Sequence, residues 1–181
     1  TLETAENLVQ FILKHHYPKS GAKIQWFGGE PLLNTKVIDY VSKRLDELNV
    51  KYYSTMISNS LLFNEENVSK INDWKMKSVQ ITIDGLNETY NKIKNYVYSD
   101  IDAFLVLIEN IHRLIDKTDI HITLRFNIGN NNIFEMYDTI EYIKESLNEI
   151  REYLSNGINA VRHSSIYNNE YHPHYRVLKK H

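Results

Sequence analysis

Two stretches of the chain put hydrophilic side chains where a parallel sheet is usually greasy. In Val79-Gln80-Ile81-Thr82-Ile83-Asp84, apolar residues alternate with Gln80, Thr82 and Asp84. In the segment from Ile120 to Asn127, Ile120, Ile122, Leu124 and Phe126 alternate with His121, Thr123, Arg125 and Asn127. Successive strand residues point to opposite faces, so each stretch has one apolar side and one polar side. Strands buried on both faces read instead as continuous apolar runs. The polar sides therefore face either water or a wet cavity. Arg125 sharpens the choice, because an unpaired guanidinium in a closed interior costs several kcal/mol. Asp84 is one available partner, and a ligand carboxylate or phosphate is another. A solvated sheet face, or a structural Arg125–Asp84 pair, accounts for the alternation as well as a binding site does. Thr82, Asp84, Arg125 and Asn127 all fall toward the C-terminal ends of their strands, the end at which α/β proteins bind ligands.

A third feature is Gly28-Gly29-Glu30-Pro31, directly after the short apolar run Ile24 to Phe27. Two residues without side chains let a ligand approach the backbone, and Glu30 offers a carboxylate to a cation. The spacing is not that of a phosphate-cradling loop, and no Lys-Ser/Thr pair follows. The eight histidines raise a metal reading, with His163, His172, His174, His181 and Glu170 as a conceivable set, but a polar tail accounts for them better. His15-His16 closes a helix, where a cationic ring suits the dipole. His121 reads as an interior histidine with its hydrogen bonds satisfied. No nucleophile-elbow motif appears. Glu65-Glu66 fits the first turn of a helix better than acid–base catalysis. No metal-ligating set is assigned.

Composition narrows the classes further. The 181 residues carry 21 Lys+Arg against 23 Asp+Glu, a net charge of −2, so no basic excess favours a nucleic-acid backbone. Cysteine is absent, which excludes disulfides, Cys-bound zinc and thiol nucleophiles within these residues. No apolar run approaches the roughly 18–20 residues of a membrane span. With no signal peptide at the start either, a cytoplasmic protein without membrane contact is the expectation.

The periodicity that must position these groups is regular. Thr1 caps a helix with Ala5, Leu8, Val9, Ile12 and Leu13 on one face. A strand over 24–27 follows, then a helix from Asn34 or Thr35 with Val37, Ile38, Val41 and Leu45. A strand over 52–58 precedes a helix capped by Asn64 with Val68, Ile71 and Trp74. The strand at 78–83 ends in the Asp84-Gly85 turn, and a long connection holds Asn91 to Tyr98. A helix with Phe104, Leu107, Ile108, Ile111 and Leu114 leads to the strand at 121–126. The last helix runs from Asn132 through Met136, Ile140, Ile143 and Leu147 to Leu154, ending at Asn156-Gly157. A fifth strand is expected at 160–165, and 166–181 reads as a polar tail. Strict alternation of helix and strand predicts an α/β fold with a parallel sheet.

Taken together, these motifs resemble a family. The segment from Ile24 to Leu33 resembles the second barrel strand and Gly-Gly-Glu-Pro motif of radical S-adenosylmethionine (radical SAM) enzymes. Ser58-Asn59-Ser60-Leu61-Leu62 is similar to their Thr-Asn-Gly-x-Leu segment. Val79 to Gly85 is similar to their Ile-Ser-Leu-Asp-Gly strand, and Leu124 to Ile128 with Asn131 resembles the fifth strand. The pattern is most similar to the branch with a C-terminal auxiliary-cluster (SPASM) region that modifies peptides or proteins. The resemblance implies a partial (β/α)6 TIM-like barrel over 1–165, with 166–181 leading toward an auxiliary-cluster region. It implies a 4Fe-4S cluster that reductively cleaves S-adenosylmethionine to abstract a hydrogen from a peptide or protein substrate. Gly28, Gly29 and Glu30 then receive the methionine amino group. Thr82 stands at the family's serine, which contacts the methionine carboxylate, and Arg125 stands at the basic position that pairs with it. Asn59, Asp84 and Asn127 complete the cofactor-binding set. No catalytic residue is assigned.

There are departures from the pattern. The family's three cluster cysteines, C-x3-C-x2-C, have no counterpart here, so the cluster ligands, with the first barrel strand and its loop, are expected outside these residues. By themselves these residues should not perform the radical reaction. Ser60 replaces the usual glycine, and Tyr90-Asn91-x-x-Lys94 stands where many members have His-Asp-x-x-Arg. An unpaired sheet edge beside the diglycine strand favours self-association. Two rivals remain: a barrel enzyme binding an anionic small molecule at Arg125, and a non-catalytic peptide-binding module on a decayed barrel.

Overall fold

The computed structural model describes residues 1–95, 101–130 and 132–148. Four strands, β1 (Ala22–Trp26), β2 (Tyr52–Ser58), β3 (Met76–Ile83) and β4 (His121–Phe126), form one sheet in sequential order. All three pairings are parallel. Six helices accompany them: α1 (Leu2–His15), α2 (Thr35–Glu47), α3 (Glu65–Ser69), α4 (Asn87–Lys94), α5 (Ala103–Lys117) and α6 (Met136–Asn148). The result is the parallel α/β arrangement that the alternation predicts, in the partial-barrel form that the resemblance implies. The fifth strand at 160–165, the polar tail, Ile150, Leu154, Asn156-Gly157 and the histidines from His163 onward lie outside the described residues.

The helices form where their caps and apolar stripes say they should. Thr1 Oγ1 accepts the amide of Thr4 at 3.2 Å, and Asn64 Oδ1 accepts that of Asn67 at 3.0 Å. Asp102 Oδ1 accepts the amide of Leu105 at 3.0 Å, and that bond, followed by one from Asn91, holds its carboxyl below the ordinary aspartate value. Helix α3 ends at Ser69, earlier than the Val68–Ile71–Trp74 stripe implies, and Ile71 and Trp74 reach the core from turns.

One core cluster packs Trp74, Leu107, Ile111 and Leu114 against Met56, Val79, Ile81 and Ile83. A second packs Ala5, Val9, Ile12, Val41 and Leu45 against Ile24 and Tyr52. Both use the apolar side of the sheet. Asp39 of α2 ties the layers by accepting the indole N–H of Trp74 at 2.7 Å and pairing with Lys70 at 3.3 Å.

Helix α4 departs from the sequence expectation of a long connection. Its first residues carry no side-chain cap of their own. The cap comes from the loop after β4: Glu135 accepts the amide of Leu86 at 3.3 Å and the hydroxyl of Thr89 at 3.0 Å. A Cβ on Gly85 would lie 2.5 Å from that carboxylate, so glycine is required there. Asn91 then joins α4 to α5, accepting the amide of Phe104 at 3.0 Å and donating to Asp102 at 3.1 Å. A helix capped from 49 residues away leaves no local signature.

The loop after β2 turns through Ser60, which is fully buried at φ 66°. That left-handed conformation costs a non-glycine residue about 1–2 kcal/mol, and the family's usual glycine is free of the cost. The Ser60 hydroxyl has no hydrogen-bond partner among the described residues. Asn110 of α5 secures the turn by donating to the carbonyls of Ser60 at 2.8 Å and Leu61 at 3.1 Å. The Ser60→Gly variant is expected to raise stability by about 0.5–1 kcal/mol, the added chain entropy offsetting part of the relieved strain. A urea titration showing lowered stability would refute this account of the turn.

Candidate functional site

The strand register gathers the polar residues onto one face. Thr55 lies beside Ser78, and Ser78 beside His121. Ile57 lies beside Gln80, and Gln80 beside Thr123. Thr82 lies beside Arg125 at the C-terminal end of the same face. The helices bury their apolar stripes against the other side of the sheet. The polar residues of β3 and β4 thus share one face, as their alternation predicts. His121 is a correction: it is exposed at the edge of this face, with Thr123 Oγ1 at 3.4 Å from Nδ1, rather than an interior histidine.

Arg125 and Thr82 are half-buried neighbours. Neither side chain has a hydrogen bond or ion pair with another described residue. The expected alternative partner for Arg125 is taken. Asp84 Oδ2 lies 2.6 Å from Lys94 Nζ, and Oδ1 accepts from Asn127 Nδ2 at 2.8 Å. The Asp84–Lys94 pair is only 12% and 17% exposed at its side chains, so it belongs to the structure beneath the strand tips. The Arg125–Asp84 structural pair is thereby excluded, and the guanidinium is left for another anion.

The diglycine segment shows a complementary feature. A Cβ built on Gly28 or Gly29 meets nothing within 4 Å. Gly29 also has no positive φ, so neither backbone strain nor internal crowding demands glycine there. Glu30 is engaged differently from the expectation of an open carboxylate. It accepts from Leu32 N at 3.1 Å, from the Ser58 hydroxyl at 3.0 and 3.1 Å, and from Asn59 N at 2.9 Å. Glu30 thus fastens the loop after β1 to the tip of β2. Asn59 Oδ1 accepts from Leu61 N at 3.0 Å, and its carbonyl accepts from the Tyr90 hydroxyl at 3.4 Å.

Of the eight expected residues, the structure thus joins Glu30 to Asn59, Asp84 to Asn127, and Thr82 to Arg125. Gly28 and Gly29 stand exposed at the end of β1. Sequence reasoning missed the residues that hold these groups: Ser58, Asn132 and Glu135. Ser58 carried a usable signal, since its period-2 position puts a hydroxyl at the strand tip. Asn132 sits in the run Gly-Asn-Asn-Asn, which reads as an ordinary turn. Among the described residues no group of three or more His, Asp or Glu side chains is placed to hold a metal ion, and no helix is long and apolar enough to cross a membrane.

Four parallel strands in an α/β arrangement, with Thr82 and Arg125 side by side at the strand C-termini, define a partial-barrel fold. The family model described as the Radical SAM superfamily matches residues 1–160. The chain belongs to the radical SAM superfamily. It is similar to an uncharacterized protein of Methanocaldococcus jannaschii (strain ATCC 43067 / DSM 2661 / JAL-1 / JCM 10045 / NBRC 100440), 35% identical over 107 residues, 56% of this chain and 35% of that protein. The fold is similar to that of native anSMEcpe with bound AdoMet, with TM-score 0.62 and 17% identity over 83% of this chain and 40% of that one. The structure of native anSMEcpe with bound AdoMet and Cp18Cys peptide aligns with TM-score 0.60 and 17% identity, over 82% of this chain and 40% of that one. The chain therefore spans little more than a third of the length of these relatives.

Removing Lys94 leaves the Asp84 carboxylate buried without its cation. Lys94→Met is expected to destabilise the fold by about 3 kcal/mol, and adding Asp84→Asn is expected to restore part of the loss. Urea denaturation of the single and double variants checks this. Additive losses would show that the two groups do not act as a pair.

Proposed function

We propose that this chain is the S-adenosylmethionine-binding core of a radical SAM oxidoreductase that abstracts hydrogen from a peptide or protein substrate. The observation that carries the reading is Arg125: a cation without an ion-pair partner among the described residues, beside Thr82, at the C-terminal end of the sheet. The residues present fit the cofactor. Arg125 and Thr82 bind the methionine carboxylate, the open space over Gly28 and Gly29 admits its amino end, and Asn59, Asp84 and Asn127 shape the rim. Glu30 acts first by holding the tips of β1 and β2 together, which presents backbone groups of the diglycine segment to the ligand. When bound and reductively cleaved, S-adenosylmethionine supplies radical hydrogen-abstraction chemistry. The polar face orients it.

The 4Fe-4S cluster of the family does not fit these residues, because the 181-residue chain has no cysteine. Its ligands must be supplied by other parts of the protein, and these residues alone are inactive in the radical step. A peptide or protein substrate, and the SPASM-type branch, draw support from the likeness to anSMEcpe, which has been solved with AdoMet and with the Cp18Cys peptide.

In the cluster-loaded protein, Arg125→Ala is expected to weaken S-adenosylmethionine binding by about 1.5–3 kcal/mol, the value of a charge-assisted hydrogen-bonded pair. Calorimetric titration measures it directly. Unchanged affinity would remove the assignment of Arg125 to the carboxylate.

A further inference from the structure

The strand tips are held by a residue that no motif singles out. Asn132 is 5% exposed and follows β4 by six residues. Its Nδ2 donates to the carbonyl of Asp84 at 2.5 Å and to that of Asn127 at 2.9 Å. Its Oδ1 accepts the amide of Gly129 at 2.7 Å. Both N–H donors and the carbonyl of the carboxamide are thus spent on backbone. The two carbonyls it joins lie two residues past Thr82 and Arg125, which face each other across β3 and β4. β3 ends at Ile83 and β4 at Phe126, and the amide of Asn127 reaches back to the carbonyl of Ile83 at 2.9 Å. Past that bond, Asn132 spans the two chains.

We propose that Asn132 is a positioning residue that sets the spacing of Thr82 and Arg125 for an anionic ligand. The proposal rests on the reading above, in which that pair binds the carboxylate of S-adenosylmethionine. Arg125 is long and has no partner among the described residues to hold its orientation. The backbone it stands on is therefore what determines where its guanidinium can meet a planar carboxylate. Without the carboxamide, two carbonyls and one amide lose this partner, and the tips of β3 and β4 are held only by the bonds from Asn127 to the Ile83 carbonyl and the Asp84 carboxylate, which loosens their spacing. Binding must then restore the spacing out of its own interaction energy, which weakens affinity. Other side chains cannot easily substitute. Aspartate at 132 would aim a carboxylate at two carbonyls, and serine offers a single short donor.

The test measures S-adenosylmethionine dissociation constants by equilibrium dialysis, with thermal midpoints, on the cluster-loaded protein that carries this chain. Asn132→Ser and Asn132→Asp are compared with Trp74→Phe, which disturbs the core on the far side of the sheet. The Asn132 variants are expected to bind about tenfold more weakly, with Asp the worse, whereas Trp74→Phe lowers the thermal midpoint and leaves affinity within about twofold. Should Asn132→Asp fail to fold, Asn132→Ser decides. Asn132→Ser binding within about twofold of wild type overturns the proposal, as does Trp74→Phe weakening binding equally at a matched thermal midpoint. Arg125→Ala, run in parallel, separates the two levels. If it weakens binding while Asn132→Ser does not, the positioning role alone fails. If neither does, the carboxylate assignment fails and the positioning role with it.

Discussion

A guanidinium on a polar sheet face, without an ion-pair partner among the described residues, is the constraint that the strand tips around it must meet. Charge in a partly desolvated place is stable only with an anion or water close by. Asp84, just past the end of the neighbouring β3, is neutralised by Lys94 at 2.6 Å and held by Asn127 at 2.8 Å. That arrangement keeps Asp84 from quenching Arg125. It also fixes the loop that follows Thr82. The same local chemistry thus serves stability beneath the strand tips and leaves binding capacity above them.

The tips themselves are built from contacts that are distant in sequence. Glu30 reaches 28 and 29 residues forward to Ser58 and Asn59, and joins β1 to β2. Asn132 reaches back 48 residues to Asp84, and joins β3 to β4. Glu135 reaches back 49 residues to Leu86 and begins α4. Each uses a buried or half-buried side-chain oxygen or amide to satisfy backbone groups where the ladder stops. Because a lost partner at such a site costs about 1–3 kcal/mol, the tips form a mutually dependent rim rather than four independent loops.

The strands, most helices and the polar face were legible because they rest on periodicity and local caps. The residues from Val79 to Asp84 and from Ile120 to Asn127 declared their two faces by alternation alone, and the register then set Thr82 against Arg125. What could not be read was pairing across long separations. Asp84 was as good a partner for Arg125 as for Lys94 until the position of α4 was known. Helix α4 was hidden because its cap lies on another element and only Tyr90 among its residues is buried. Glu30 looked like a free carboxylate because nothing in Gly-Gly-Glu-Pro reveals the hydroxyl and amide waiting at the end of β2.

The departures from the family pattern acquire reasons in the same terms. Tyr90, Asn91 and Lys94 stand where many members carry His, Asp and Arg, and here they form a self-consistent set. Tyr90 packs against Phe104 at 5.7 Å between ring centres and donates to the carbonyl of Asn59. Asn91 accepts from the first turn of α5, and Lys94 neutralises Asp84. A lysine suffices for that last task, since a single carboxylate oxygen needs a point charge rather than a two-pronged donor. Planar, bidentate recognition of a carboxylate, in the proposed function, is left to Arg125, which stands beside Thr82 on the polar face.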